Sequence, residues 1–571
     1  MKNKTKRFLP TLLITVLLPL QTMGQSEEEI ISFADWQVAL TCIDNWDTNG
    51  DRQLSKEEAA AVTDLGEIFT RSSITSFNEL QYFTGLTAIA NNAFRSCKRL
   101  TSITIPDGVK RIGSRAFMYC EYLDSINIGD SVEAIGQGAF YENTSLRAAI
   151  IGRSVKEIGV DAFNYCISLT QIEVDSENTV FDSRNNCNAI IRTETNELIQ
   201  GCVNTLIPNT VTRIGPNAFE YCRGLPTIYI PQSVTSIGSF AFRNCRQMAS
   251  IFIPRSVTSI GKGSDGSDDN PFSGCYSLTS IIVENGNPAY DSRENCNAII
   301  NTASNKLIAG CQNTVVPNMV TAIADYAFDG MIILSDINLP SSLTSIGEAA
   351  FNNCSSLADF TIPENVISVG RNAFYKTLWY NMQPDGQMIY KDDVFLGYKG
   401  KFSPIGNQEI KSGTRVIAGG AFHGNLNTYK EITAVTLPSS LKGIGDHLFY
   451  GCESLTSVTS YIKNPILVSE STFKGIETAA TLYVPKGTRR KYQSTPHWSD
   501  YFSAIEEIEV PFEPYGDVNS DGIVDVADIA AVIDVMADVE ADPVSARDAD
   551  INDDGVIDVA DIATIIDVMA K

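Results

Sequence analysis

Histidine is almost missing from this chain of 571 residues: there are three, His423, His447 and His497, in separate stretches with no shared motif. That scarcity excludes zinc-hydrolase His pairs and leaves no local histidine triad, and no nucleophile elbow, phosphate loop or dinucleotide fingerprint is present. Basic residues are also short. Against 68 Asp and Glu stand 43 Lys and Arg, a net charge of −25, which argues against nucleic acid as a partner. No stretch is long and apolar enough to span a bilayer. Carboxylate-only glycoside hydrolysis needs no histidine, so the count alone leaves it open. The coils described next rarely form the deep cleft it requires, and the expectation is a chain without catalysis.

What the sequence does have is a phrase of 23 residues. Its clearest copy runs Leu100, Ile103, Ile105-Pro106, Val109, Ile112-Gly113, Ala116-Phe117, Cys120, and it recurs at Leu123, Ile126, Ile128, Val132, Ile135-Gly136 and Ala139-Phe140. A fixed period in this range means a stacked array, each copy one coil of a solenoid. Ile103 and Ile105 alternate with Ser102 and Thr104, the spacing of a half-buried strand. Pro106 ends the strand. Gly113 marks a point where a side chain would be forbidden. Ala116, Phe117 and Cys120 suit a short helical turn facing inward. No coil buries this face alone; its neighbours must cover it.

Phe94, Phe117, Phe140 and Phe163 mark the period, followed by Phe219, Phe242, Phe272, Phe328, Phe351, Phe374, Phe422, Phe449 and Phe473. A seven-residue insertion near 261–270 precedes Phe272. Two gaps of 56 residues each hold one coil plus 33 residues, and they are copies of each other: Phe181 to Ile191 matches Tyr290 to Ile300. Each reads as a strand, a polar turn and a return strand, pairing Ile190 with Ile199. Cys187/Cys202 and Cys296/Cys311 flank those turns, as cross-strand disulfides or as free buried thiols. Most of the 13 cysteines sit three residues after the marker Phe, where other coils use Asn143, Met331 and Thr377. That interchange favours a small buried filler over a metal ladder. Residues 375–420 are the least regular, with Trp379, Tyr380, Tyr390 and Tyr398. They are either the packing of a lengthened coil or a stacking surface for a sugar.

The phrase I-x-I-P-x-x-V-x-x-I-G-x-x-A-F-x-x-C-x-x-L resembles the BspA-type leucine-rich repeat of bacterial surface proteins, over residues 86–510 with a closing coil near Tyr483 to Trp498. The resemblance implies a leucine-rich-repeat solenoid of short parallel strands, mainly β with short helical turns. It also implies an adhesion role toward a host or bacterial surface protein or a polysaccharide. Residues 1–24 read as a signal peptide. Lys2, Lys4, Lys6 and Arg7 precede the apolar Leu9 to Leu20, and Thr22-Met23-Gly24 is a small-residue cleavage site. The expected location is secreted or at the bacterial cell surface.

Two acidic regions carry metal-loop spacing. In residues 25–85, Asp47, Asn49, Asp51, Gln53, Ser55 and Glu58 fall at positions 1, 3, 5, 7, 9 and 12 of a loop that resembles an EF-hand, Gln53 through its backbone carbonyl. Helical stretches flank it, 33–42 and 55–70. Arg52 replaces the usual glycine at position 6. The same residues also read as a capping box, Ser55 with Glu58. After a linker at 511–516, residues 517–571 hold 15 acids against Arg547 and Lys571, a net −13. There Asp517, Asn519, Asp521, Ile523, Asp525 and Asp528 repeat 33 residues later as Asp550, Asn552, Asp554, Val556, Asp558 and Asp561, each loop running into a near-identical helix, 526–536 and 559–569. Ile523 and Val556 would contribute backbone carbonyls. Oxygen donors at alternating positions suit calcium at both loops. Asp rather than Glu at position 12, in two tandem loop-helix units, resembles a type I dockerin. That resemblance implies a cohesin-like partner reading loop positions 10 and 11, Val526-Ala527 and Val559-Ala560. Because these are the same in both copies, either of two orientations would serve. Two small α-helical modules would thus cap the solenoid.

Overall fold

Each coil contributes two short parallel strands, and stacking them makes two ladders. The computed structural model describes residues 29–262, 269–400, 406–422, 431–476, 480–509, 518–519, 524–537, 549–552 and 556–570. The expected leader (1–24) and linker (511–516) lie outside these. One ladder is built from the alternating I-x-I stretch: Ser125–Ile128, Ala148–Ile151 and Gln171–Val174 pair in parallel at the repeat interval, Ile126 on Ala149 on Ile172. The other uses the residues before the Ile-Gly dipeptide: Ala88–Ile89, Arg111–Ile112, Ala134–Ile135 and Glu157–Ile158. The apolar residue of each pair is inward because strand neighbours face opposite sides.

The glycine after the last three of these strands, Gly113, Gly136 and Gly159, is required by proximity rather than by an unusual dihedral. A Cβ on Gly136 would sit 2.5 Å from the Ser114 backbone nitrogen and 2.7 Å from the Gly113 carbonyl carbon. The coils approach so closely there that only hydrogen fits.

The turn carrying the marker Phe faces inward as expected, but it is not helical. Arg115 and Tyr119, two residues either side of Phe117, both adopt left-handed backbone, φ +57° and +65°. This conformation points alternate N–H groups along the stack, giving a third hydrogen-bonded row. Arg115, Phe117 and Tyr119 donate to the carbonyls of Gln137, Ala139 and Tyr141 at 2.9, 2.8 and 2.9 Å. The Phe rings stack behind it, with centroids 5.2 Å apart from Phe94 through Phe117, Phe140 and Phe163. The next side chain inward is the cysteine. Cys120 Sγ donates to the Phe94 carbonyl at 3.2 Å, and Cys245 and Cys354 repeat the contact with Phe219 and Phe328. In the one coil with Asn143 instead, its Oδ1 accepts from the Cys120 N–H at 2.9 Å.

All 13 cysteines are buried free thiols, Cys187, Cys202, Cys296 and Cys311 included. The hairpin register differs from the symmetric pairing expected. Ile190 faces Gln200, a bulge follows, and Ile191 then faces Leu198; the second hairpin repeats this at Ile299 and Ile300. Ile190 belongs to the core of the preceding coils and Ile191 to that of the following ones. A strand buried on both faces explains the unbroken Ala-Ile-Ile run.

The stack is closed at both ends. Ahead of it lie the helices Trp36–Trp46 and Lys56–Ala61, and the strand Ser76–Phe77 already pairs with Ser102–Ile103. The second helix ends earlier than its sequence pattern suggested. Val62-Thr63 is β-branched and Gly66 turns left-handed at φ +55°. At the far end Thr481–Pro485 and Ala504–Ile508 complete a five-stranded parallel sheet. Trp498 lies fully buried against Phe473 and Tyr492. The aromatic segment 375–420 packs inward too. Trp379 meets Phe360 edge-on at 5.6 Å and Tyr390 meets Phe395 at 5.1 Å, which favours the lengthened-coil reading.

Candidate metal centres

Three loops share one way of closing. In the first, Glu58 at position 12 reaches back to the loop's start. Its Oε1 accepts from the N–H of Thr48 at 2.8 Å and of Asn49 at 3.3 Å, and its Oε2 from the N–H of Ser55 at 2.9 Å. In the second, Asp528 Oδ1 accepts from Val518 and Asn519 at 2.8 and 3.0 Å, and Oδ2 from Asp525 at 2.8 Å. In the third, Asp561 Oδ1 accepts from Ile551 and Asn552 at 2.8 and 3.1 Å, and Oδ2 from Asp558 at 2.8 Å. Each carboxylate therefore ties positions 2, 3 and 9 to position 12, from the first turn of the helix that follows.

Asp528 and Asp561 are fully buried. A buried carboxylate is stable only when its oxygens are satisfied, and three N–H donors do that in each case. Asp525 and Asp558 at position 9 accept from Ala527 and Ala560, both at 2.7 Å, so each caps its helix. The helices, Val526–Ala537 and Val559–Met569, match the sequence expectation and pack through the buried Val532, Ala549 and Ile565.

The first loop is complete in the structure. Asp47 accepts from Gly50 and Arg52, Asn49 from Asp51, and Asp51 from Gln53, at 2.7 to 2.8 Å. Arg52, at position 6, stands at φ +66°, the left-handed backbone that favours glycine. Ser55 and Glu58 also form the capping box, the alternative reading of this segment. Position 8 is the buried Leu54, whose carbonyl accepts from Ile31 at 2.9 Å. Burial pushes the Glu58 carboxyl up, but the hydrogen bonds from Ser55 and Thr48 outweigh it and hold it at about 2.

The donor set is all oxygen, the chemistry of a hard cation such as calcium. Among the described residues no three His, Cys, Asp or Glu side chains are gathered into a group that could hold a metal ion. Asp517, Asp521, Ile523 and Asp554 lie outside the described residues, whereas Asn519, Asp550, Asn552 and Val556 are among them.

A different feature was missed in the sequence. A groove of about 950 Å³ lies on the Ile-Gly ladder, its floor bare backbone at Gly347, Gly370 and Gly445, its walls including Glu348, Arg371 and Asp446. Glu348 and Arg371 pair at 2.6 Å. The signal was present: the residue after each Ile-Gly changes from coil to coil at a fixed phase, as Ser114, Gln137, Glu348, Arg371 and Asp446.

Comparison with known proteins agrees with this architecture. The BspA type Leucine rich repeat region matches in six copies, over 67–190, 200–304, 269–388, 298–428 and 398–495. The chain belongs to the BspA-type leucine-rich repeat family. Residues 515–569 match the Dockerin type I domain, a module class that binds calcium and pairs with cohesins. Among solved structures, it is similar to a leucine-rich repeat protein from Eubacterium ventriosum (22% identity, 56% of this chain and 86% of that one, TM-score 0.38). It is also similar to a leucine rich cell surface protein from Faecalibacterium prausnitzii (26%, 52% and 82%, TM-score 0.34). The pneumococcal vaccine antigen PcpA is a further match (17%, 75% and 85%, TM-score 0.27). No curated protein matches. No described helix is long and apolar enough to cross a membrane.

Proposed function

We propose that this is an exported, non-catalytic binding protein. Its solenoid recognises a surface target, and its C-terminal module docks, with calcium, to a cohesin-type receptor. The observation that carries the docking half is the near-identity of the two helix faces. Val526 and Val559 are each 69% exposed, Ile533 and Ile566 are 49% and 50%, and Met536 and Met569 are both 42%. Two equal apolar faces held by two equal loops would let one receptor bind in either orientation. Calcium would be held at Asp517, Asn519, Asp521, Ile523, Asp525 and Asp528, at the matching residues 550–561, and at the 47–58 loop. The ion would offset the −13 charge of residues 517–571.

The solenoid half rests on the family's surface-protein character and on the open polar groove beside Glu348 and Arg371. Host proteins, other bacteria and polysaccharide are the candidate targets. A second reading makes the docking module the working part, with the chain a structural component of a cohesin-dockerin complex concerned with polysaccharide. Pull-down from cell-envelope and culture fractions separates the two, using residues 25–571 and 25–510 as baits with calcium or a chelator. Capture that needs both 517–571 and calcium supports docking. Chelator-resistant capture by 25–510 supports a solenoid target. Failure of both baits to capture anything would overturn the proposal.

A further inference from the structure

On the I-x-I strand, the residue between the two inward side chains faces solvent. In several coils it is polar, Thr104, Asn127, Glu173, Asn338 and Thr361 being exposed there, while Ile150 and Val315 are exposed apolar residues at the same place. In four successive coils it is instead Leu206, Tyr229, Phe252 and Ile282, exposed by 74, 71, 44 and 51%. The coils are neighbours. The space beside Gly224 is filled by Val203, Thr227 Oγ1 donates to the Ser250 carbonyl at 3.3 Å, and Phe252 sits in register with Ile282. The twin hairpins bound the row. Leu206 N–H donates to the Cys187 carbonyl at 3.0 Å, and beyond Ile282 the Val315 N–H donates to the Cys296 carbonyl at 3.1 Å. Beside the row lie Asn204, Thr227, Ser250 and Ser280 on one side and, on the other, Arg255 and Glu284, which pair with each other at 3.1 Å.

We propose that this row is the contact through which two copies of the chain associate, antiparallel, about a two-fold axis. The order aliphatic, aromatic, aromatic, aliphatic reads alike in both directions, as an isologous contact requires. Antiparallel alignment sets Tyr229 against Phe252 of the second copy and Leu206 against its Ile282. Aromatic pairs favour such contact beyond the area they bury. Charge supports the choice, since a molecule of net −25 meets its own copy with least repulsion on a face without net charge, and the charges beside this row, Arg255 and Glu284, pair with each other. Four side chains bared to this extent present roughly 400–500 Å² per copy, so the pair buries about 1,000 Å² with its rim, the lower end for a specific contact. The dimer is therefore weak and reversible, and it doubles the number of docking modules per particle. A sugar chain fits less well, because two of the four positions are aliphatic. A charged peptide or an anionic lipid surface finds no net charge here, since Arg255 and Glu284 neutralise each other.

Sedimentation equilibrium of residues 25–571 tests this, from about 1 to about 200 µM, the range in which so small a contact equilibrates. The expected result is a monomer–dimer equilibrium. It should weaken at least tenfold in the double variant Tyr229→Thr/Phe252→Thr, which places at this position the residue Thr104 and Thr361 already use, so its circular dichroism and melting should not change. Phe252→Asp, a charge at the centre, should leave only monomer. A wild type that stays monomeric throughout overturns the proposal, as does a dimer that both variants leave intact.

Discussion

A missing Cβ decides how closely the coils stack. Gly136 has room only for hydrogen, with Ser114 and Gly113 backbone at 2.5 and 2.7 Å from any added carbon. Gly136→Ala should cost about 1–3 kcal/mol, the range for forced overpacking, in thermal unfolding. Gly129→Ala, where an added Cβ meets nothing within 4 Å, should be close to neutral. Equal effects at the two sites would refute the close-approach account. Glu58 gives a second test at this scale. Its ordinary value is 4.5, and in the fold it is held at about 2. A depressed carboxylate contributes stability above its unfolded value, and that contribution disappears as pH falls through the folded one. Urea unfolding should show stability lost between about pH 4.5 and 2 that is absent in Glu58→Gln. The same pH slope in both proteins would show that Glu58 does not tie its loop.

Among the elements, coil spacing was legible because a period of 23 cannot be mistaken once Phe94, Phe117 and Phe140 are aligned. The C-terminal helices were legible for a related reason: the loop that starts each one also caps it, through Asp525 and Asp558. Two things were hidden. The Phe-bearing turn shares its 1-and-3 spacing with a helix, and only the left-handed Arg115 and Tyr119 make it a ladder instead. Neither residue type advertises that conformation. The groove was hidden because its floor is made by glycines that recur in most coils, so they carry no local distinction. The closing coil gives the element-scale prediction. Trp498 is fully buried and its Nε1–H donates to the Ile466 carbonyl at 2.7 Å. Trp498→Ala should cost about 3–5 kcal/mol, and because stacked coils hold only their neighbours, the loss should fray the C-terminal end alone. Limited proteolysis should cut the last coils first and leave the coils before residue 400 intact. Simultaneous cleavage throughout would mean that the array unfolds as one unit.

At the scale of the whole molecule, charge and hydrophobic pattern divide the labour. The solenoid buries one apolar face per coil, whereas among the described residues of the small C-terminal module the fully buried apolar side chains are Val532, Ala549 and Ile565, and its sequence carries a net −13. A core of that size offsets little repulsion, which is the physical ground for the proposal that calcium completes the fold. The central claim is thus that calcium completes the docking module through Asp528 and Asp561. Calorimetric titration of calcium into residues 25–571, beside the Asp528→Ala/Asp561→Ala double variant, tests it most directly. The account predicts binding by the wild type, with the part due to the C-terminal module lost in the variant, together with the calcium-dependent ordering of residues 517–571. An identical titration for the two proteins would contradict it.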